Sequence, residues 1–106
     1  MKITIDKEDI MCGIPGQSND CAVALGVNRL LAGRFFSMVF INPYSGGNKA
    51  VVAIHEEIEH GITHRVFDQQ LHDDVKQFIR DYDRYGTGIK CNGIEFEAHI
   101  PENCLR

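Results

Sequence analysis

The chain has 106 residues, enough for one domain with a core of its own and too few for two ordinary domains. Hydrophobic residues make up 43% of the chain and charged residues 25%, which is typical of a globular protein and excludes a disordered one. The net charge of -4 lacks the basic surplus with which proteins bind phosphate backbones, so nucleic acid is not expected as a partner. No apolar run approaches the roughly 18 residues of a membrane span, so no membrane association is expected.

The amino-terminal third combines a short strand, a loop and a helix. Residues 1–5 predict a half-buried strand because apolar and polar side chains alternate, and the charged residues 6–10 predict a turn. Two glycines and a proline within residues 12–17 predict a loop. The segment 21–31 is apolar around most of its circumference, so we expect a largely buried helix behind the candidate N-caps at 18–20.

The middle of the chain is predicted to contain strands. Gly26 within the helix indicates close packing of another segment, and Gly33 is a natural end for the helix. Aromatic and branched residues are dense in 34–42, which predicts an inner strand covered on both faces. Residues 42–48 carry the strongest turn signal of the chain, and the apolar residues 50–54 predict the next strand.

The periodicity of residues 54–67 fits two structures. Large aliphatic residues recur at every fourth position, as along one side of a helix, but the same positions also share one face of a strand. The β-branched residues and Gly61 favour strands, so we expect one long bent strand or two strands that break near His60 and Gly61. The aliphatic residues are Ile54, Ile58, Ile62 and Val66.

An amphipathic helix and a final strand complete the chain. Asp68 is a suitable N-cap for the helix, and Gly86 and Gly88 are suitable stops. Residues 94–100 alternate apolar side chains with acidic or polar ones, which predicts a one-sided strand that ends at Pro101. The apolar side of the helix consists of Leu71, Val75, Phe78, Ile79 and Tyr82.

The order of these elements predicts a single α+β domain. We expect a small, mostly antiparallel sheet of four or five strands with two helices on one face, because the first and last strands are one-sided. A ferredoxin-like split βαβ arrangement is one way to connect the elements.

Three histidines form the first candidate site. His55, His60 and His64 lie within ten residues, with glutamates between them, and His60 and His64 would share a face in a helix or a strand. In a strand His55 would lie on the opposite face, so a three-histidine metal site needs a kink or a partner segment. The alternative is a strand face of polar residues exposed to solvent.

The glycine-rich loop before the first helix is the second candidate site. Backbone N–H groups near a helix N-terminus can hold an anion such as a phosphate. No complete phosphate-loop motif is present, and Asp20 adds a negative charge, so a structural loop with a capped helix is the alternative. The candidate ligand-binding residues of this loop are Gly13, Gly16, Ser18 and Asn19.

A second candidate ligand loop follows the aromatic strand. It combines an aromatic ring, a hydroxyl, two glycines, an amide and a cation, which suit a stacked base and a phosphate. Turns select the same residue types, so an ordinary hairpin loop is the alternative. The residues are Tyr44, Ser45, Gly46, Gly47, Asn48 and Lys49.

The four cysteines occur singly, at Cys12, Cys21, Cys91 and Cys104. The amino-terminal sequence becomes polar too early for a secretory signal, so we expect a cytoplasmic location and free thiols. A nucleophilic pair of Cys12 or Cys21 with a histidine would depend on the fold, because no motif places one. The sequence identifies no cofactor.

Two segments resemble small proteins encoded by phages and prophages. Residues 21–25, CAVAL, resemble the C-x-[IV]-A-x-[AS] start of the first helix in that group. Residues 78–83, FIRDYD, followed by residues 94–97, IEFE, resemble the F-I-x-x-[FY]-D … F-x-F ending of the same group. The resemblance covers the two ends of the chain and leaves about 35–67 unassigned. The group has no established activity, so no functional residues follow from it.

The resemblance implies an accessory protein that acts by binding. Such proteins block a host enzyme or sequester a signalling nucleotide of antiviral defence, often as homo-oligomers, and neither action needs a catalytic motif. The leading hypothesis is therefore a non-enzymatic, homo-oligomeric binding protein with a small molecule, such as a nucleotide, or a host protein as partner. The alternatives are a metal-binding or hydrolytic protein that uses the three histidines, and an inhibitor that presents the strand with Glu95, Glu97 and His99 to a host factor.

Overall fold

The structure is a computed structural model and describes residues 1–42 and 48–106. Its class is α+β, as the sequence predicts. The strands are β1 (Lys2–Ile5), β2 (Phe35–Asn42), β3 (Lys49–Glu59), β4 (Ile62–Gln70) and β5 (Ile94–Glu97). The α-helices are α1 (Lys7–Cys12), α2 (Ala22–Asn28) and α3 (Asp73–Tyr85), and two short 3-10 helices span Gly86–Gly88 and Glu102–Cys104. In the described part of the chain, no helix is long and apolar enough to cross a membrane.

The strands divide between two antiparallel sheets. The first sheet pairs β1 with β5, and the second has the order β2-β3-β4. The expected single sheet of four or five strands is therefore wrong, and a ferredoxin-like arrangement stays unconfirmed. One physical reason lies at the free edge of β2, where the Ser18 carbonyl accepts a hydrogen bond of 2.7 Å from the Val39 N–H. The loop before α2 thus occupies part of the edge at which another strand would add.

The helices join the two sheets. Helix α2 contacts both β1 and β2, and α3 contacts both β3 and β5. Their apolar faces bury the inner faces of the strands in one cluster of side chains. This cluster includes Ile3, Ile5, Val23, Val27, Val39, Val52, Ile54, Val75, Phe78, Ile79 and Tyr82.

Two element boundaries differ from the prediction. Residues 7–12 form α1 rather than a turn, because Asp6 and Asp9 make a reciprocal capping box and Ile10 is buried in the core. Helix α3 begins at Asp73 with His72 as its N-cap, whereas Asp68 belongs to β4. The pairing of β4 with β3 continues to Gln70 opposite Val51, so the chain cannot turn into a helix earlier.

The ambiguous residues 54–67 form a hairpin. Strands β3 and β4 break at His60 and Gly61, as one of the two predictions had it, and Gly61 has a φ of 80°, which favours glycine. The prediction of an inner strand for β2 is wrong, because β2 lies at the edge of its sheet. Its inner face is buried, and its outer face, with Phe36, Met38 and Phe40, is half-buried.

Candidate functional site

A cleft of about 180 Å³ lies between the loop before α2, the second half of β2 and the end of α3. It combines apolar side chains with a hydroxyl, an amide and a carboxylate, which is the mixture found in ligand sites. The lining residues are Gly16, Gln17, Ser18, Cys21, Val39, Phe40, Ile41, Ile79 and Asp83. Two residues of the predicted glycine-rich loop, Gly16 and Ser18, are therefore brought to one cleft.

Hydrogen bonds hold the three walls of the cleft together. The Gly16 N–H donates to Oδ1 of Asp83 at 2.9 Å, which joins the loop to α3. The bond between Val39 and the Ser18 carbonyl joins the same loop to β2. Asp83 is positioned by its neighbour Tyr82, which is buried and donates its hydroxyl to the Ile10 carbonyl at 3.0 Å. The cleft is therefore preformed on two regular elements.

The two sides of the cleft differ in chemistry. The half-buried side chains of Phe40 and Ile41 form the apolar side, and Val39 and Ile79, which are 4% and 5% exposed, lie beneath them. Asp83 is exposed and uses Oδ1 for Gly16, which leaves its other carboxylate oxygen available. The carboxylate repels anions and attracts N–H donors, so the cleft suits a flat apolar ring that carries N–H groups.

The thiol in the cleft is a poor nucleophile. Cys21 is 5% exposed, and burial raises the pKa of its thiol, with the charge of Asp83 acting in the same direction. The reactive form of cysteine is the thiolate, which a raised pKa disfavours. Within residues 1–42 and 48–106, no hydrogen bond joins a histidine to Cys21 or Cys12, and all four cysteines are free.

The glycine-rich loop is arranged differently from an anion-binding loop. The N–H groups of Gly13 and Gly16 donate to Asp9 and Asp83, and those of Ile14, Gln17 and Asp20 donate within the loop itself. Gly13 lies outside the cleft, and so does Asn19. A phosphate would therefore find few open N–H donors here, and the negative charge of Asp83 beside them.

The second predicted loop is described only at its end. Asn48 has a φ of 53°, and Lys49 starts β3 with its ammonium 3.4 Å from a carboxylate oxygen of Asp73. The charge of Lys49 is the main cause of the lowered pKa of Asp73, so this cation is already partly neutralised. The remaining predicted residues, Tyr44, Ser45, Gly46 and Gly47, lie outside the described residues.

The three histidines do not converge on a metal site. His55 stacks on Phe36, with ring centroids 5.4 Å apart, whereas His64 lies opposite Glu56 in the register and approaches it to 3.9 Å. His60 lies in the turn. No group of three or more potential metal ligands occurs in the parts of the chain that the structure describes. The metal prediction is corrected accordingly, because strand pairing separates side chains that the sequence places close together.

The acidic strand is also engaged within the chain. Strand β5 pairs with β1, and there Glu95 lies 3.7 Å from the ammonium of Lys2. Glu97 lies 3.4 Å from the amino terminus, and the His99 N–H donates to the side chain of Gln69. These contacts hold β5 and the residues after it against β1 and β4. Because both glutamates are paired, fewer free charges remain for a partner than the sequence indicates.

Most of the cleft residues were not found from the sequence. Val39, Ile41 and Ile79 carry the ordinary signal of core positions, and nothing in the sequence shows that they meet beside Ser18. Asp83 is one of several acidic residues among the polar positions of α3, together with Asp74 and Asp81. Only the fold shows that Asp83, and neither of the others, lines the cleft.

Comparison with known proteins adds no relative, since no protein-family model, no curated protein and no solved structure matches this chain significantly. Any function must therefore be argued from the residues of the cleft and of the molecular surface.

Proposed function

We propose that this chain is a non-catalytic binding protein whose cleft holds the base of a nucleotide, with guanine as the best chemical fit. The observation that carries the proposal is the carboxylate of Asp83 beside the apolar side of a cleft that hydrogen bonds already hold in shape. A preformed site loses little conformational freedom on binding.

The chemistry of guanine fits the cleft in two ways. Its flat ring can lie against the half-buried side chains of Phe40 and Ile41, which removes their remaining apolar surface from water. Its ring N–H and its amino group are adjacent donors, and a carboxylate accepts such a pair through its two oxygens, here through Oδ2 and the second lone pair of Oδ1. Adenine has no ring N–H on that edge and is a poorer match.

The size and charge of the cleft favour a ligand whose phosphates stay outside it. Its volume of about 180 Å³ is smaller than the 300 Å³ or more of sites that enclose a whole drug-sized ligand, so it accommodates the base alone. Asp83 repels phosphate. The phosphates would then extend outward to solvent.

The resemblance to small phage proteins supports a role in binding rather than catalysis. Residues 21–25, which carry part of that resemblance, form the start of α2, and Cys21 lines the cleft. In this setting the chain would sequester a nucleotide signal of the antiviral defence of the host.

The substitution Asp83→Asn tests the proposal directly. Asparagine retains an oxygen that can accept the Gly16 N–H, so the cleft keeps its shape, but the amide cannot accept a pair of N–H donors. We expect guanosine monophosphate to bind the unmodified protein and to bind the variant at least about tenfold more weakly by isothermal titration calorimetry.

The matched control is Asp74→Asn, a loss of the same charge on the same helix at a carboxylate with 84% side-chain exposure outside the cleft. We expect this variant to bind as the unmodified protein does, and adenosine monophosphate to bind all three proteins weakly. Binding of guanosine monophosphate that Asp83→Asn leaves unchanged, or no binding of guanosine monophosphate to the unmodified protein, would contradict the proposed function.

A further inference from the structure

The end of the β3–β4 hairpin projects from the fold as an arm, defined here as residues 57–66. All ten residues are exposed, although β3 continues to Glu59 and β4 begins at Ile62, with a register irregularity between Glu57 and Glu59. The side chains of Ile58 and Ile62 are 58% and 53% exposed, and that of Val66 is 39% exposed. A two-stranded ribbon without a covering layer is only marginally stable, and clustered exposed apolar side chains mark contact surfaces.

The charge of the arm specifies the kind of surface that it fits. Glu56, at its base, pairs with Arg34 at 3.0 Å. Glu57 and Glu59 flank Ile58 and have no ion-pair partner among the residues that the structure describes. The matching surface must therefore combine an apolar pocket with positive charge.

This chain carries such a surface at the end of α3. A pocket of about 240 Å³ is lined there by Tyr85, Ile89 and Lys90, together with Gly88 and Asp81. Tyr85 is 55% exposed. The pocket is separate from the nucleotide cleft, because the two have no lining residue in common.

Two cations lie at this pocket. Lys90 lines it and has no ion-pair partner in the described part of the chain, and the guanidinium of Arg84 lies 5.3 Å from the centre of the Tyr85 ring. The carboxylate of Asp81 also lines the pocket, where it accepts a hydrogen bond of 3.0 Å from Gln77. Two cations, Lys90 and Arg84, therefore outnumber the one carboxylate at the pocket, so an acidic segment with exposed isoleucines matches it in charge and polarity.

We propose that the arm of one copy of this chain docks into the α3 pocket of a second copy. A symmetric contact between two arms would bring Glu57 and Glu59 of both copies together, and like charges oppose such a contact. A contact between two different surfaces avoids that repulsion. It leaves a free arm at one end of the assembly and a free pocket at the other, so the assembly closes into a ring or continues as a chain.

A charge exchange between the two surfaces tests this contact. Light scattering after size exclusion measures the molar mass of the particles that the full chain forms, at protein concentrations from about 5 to 500 μM. We expect the unmodified protein to associate, Glu59→Lys and Lys90→Glu each to weaken association at least about tenfold, and the variant with both changes to recover it. The control Asp74→Lys changes a highly exposed carboxylate outside both surfaces and should leave association unchanged.

Thermal unfolding of each variant by circular dichroism confirms that it folds, and recovery in the combined variant excludes a general loss of structure. A monomer throughout this concentration range would overturn the proposal. An oligomer that neither reversal weakens, or a combined variant that associates no better than the single ones, would overturn it as well.

Discussion

Gly13 stands where three atoms of the protein leave no room for a side chain. A Cβ atom there would lie 2.6 Å from Oη of Tyr82 and less than 3 Å from backbone atoms of Ala22 and Asp9. Two of these neighbours are backbone and cannot move aside cheaply. The sequence predicts Gly13 to be a ligand-binding residue, whereas the structure explains the glycine by packing.

Substitution of Gly13 by alanine is therefore expected to destabilise the protein by about 2–3 kcal/mol, the upper part of the range for overpacking. Gly33→Ala is the matched control, because a Cβ at Gly33 meets nothing within 4 Å. We expect that change to lie within about 0.5 kcal/mol of the unmodified protein. Urea unfolding measures both values, and equal stability of the two variants would contradict the packing argument.

His55 makes stability dependent on pH. Burial lowers the pKa of its imidazole, and the positive charge of Arg65 and the neighbouring His64 lower it further. As the pH falls, the unfolded chain therefore binds this proton before the folded protein does. The contribution of His55 to the free energy of unfolding therefore decreases as the pH falls below about 6.5, the pKa in the unfolded chain. Below the pKa of the folded protein this contribution is constant.

The variant His55→Phe tests this effect, since phenylalanine keeps a ring on Phe36 and removes the titrating group. We expect the free energy of unfolding to fall from about pH 7.5 to about pH 5.5 in the unmodified protein and to fall less in the variant. His60→Gln, a change in the exposed turn, should retain the full loss. A pH dependence that His55→Phe leaves unaltered would show that another group causes it.

Among the elements, α1 depends most on charge. Asp9 is 5% exposed. Its carboxylate accepts a hydrogen bond from the Asp6 N–H and forms an ion pair with Arg29, the residue that follows α2. The contact with Asp9 raises the pKa of Arg29, so the guanidinium stays charged. This ion pair holds α1 against the end of α2, and it thereby fixes both ends of the loop that carries Gly16 and Ser18.

Removing the cation leaves a buried carboxylate without its partner. We expect Arg29→Met to cost about 2 kcal/mol, less than the 3–5 kcal/mol typical of a fully buried pair, because Arg29 itself is half exposed. Adding Asp9→Asn to this variant removes the unpaired charge and should recover part of the loss. Urea unfolding of the three proteins provides the test, and a combined variant that is less stable than Arg29→Met would contradict the ion-pair argument.

The elements differ in how well the sequence predicts them. The prediction of the apolar side of α3 from Val75 to Tyr82 is confirmed. A pattern that repeats every 3.6 residues over a long segment is compatible only with a helix. The close packing at Gly26 is also confirmed, since a Cβ there would overlap the side chain of Ile5. Helix α1 was missed because six residues are too short for a period to show, and only its capping box indicates it.

At the scale of the whole molecule, strand pairing is what the sequence does not reveal. The pairing of β1 with β5 joins residues more than ninety positions apart, such as Lys2 and Glu97. It produces two sheets instead of one. The cleft also depends on contacts between distant segments, since the Ser18 loop, β2 and α3 meet there. The three histidines, in contrast, are separated within the local β3–β4 hairpin. Local patterns predict which residues are buried but leave these juxtapositions open.

The most direct test of the proposed nucleotide binding is a titration of isotopically labelled protein with guanosine monophosphate, followed by amide proton–nitrogen correlation spectra. We expect the amide signals of Gly16, Ser18, Ile41 and Asp83 to shift together with a single dissociation constant, and Asp83→Asn to weaken the response. Shifts confined to other parts of the surface, or no shifts at millimolar nucleotide, would contradict the proposed binding.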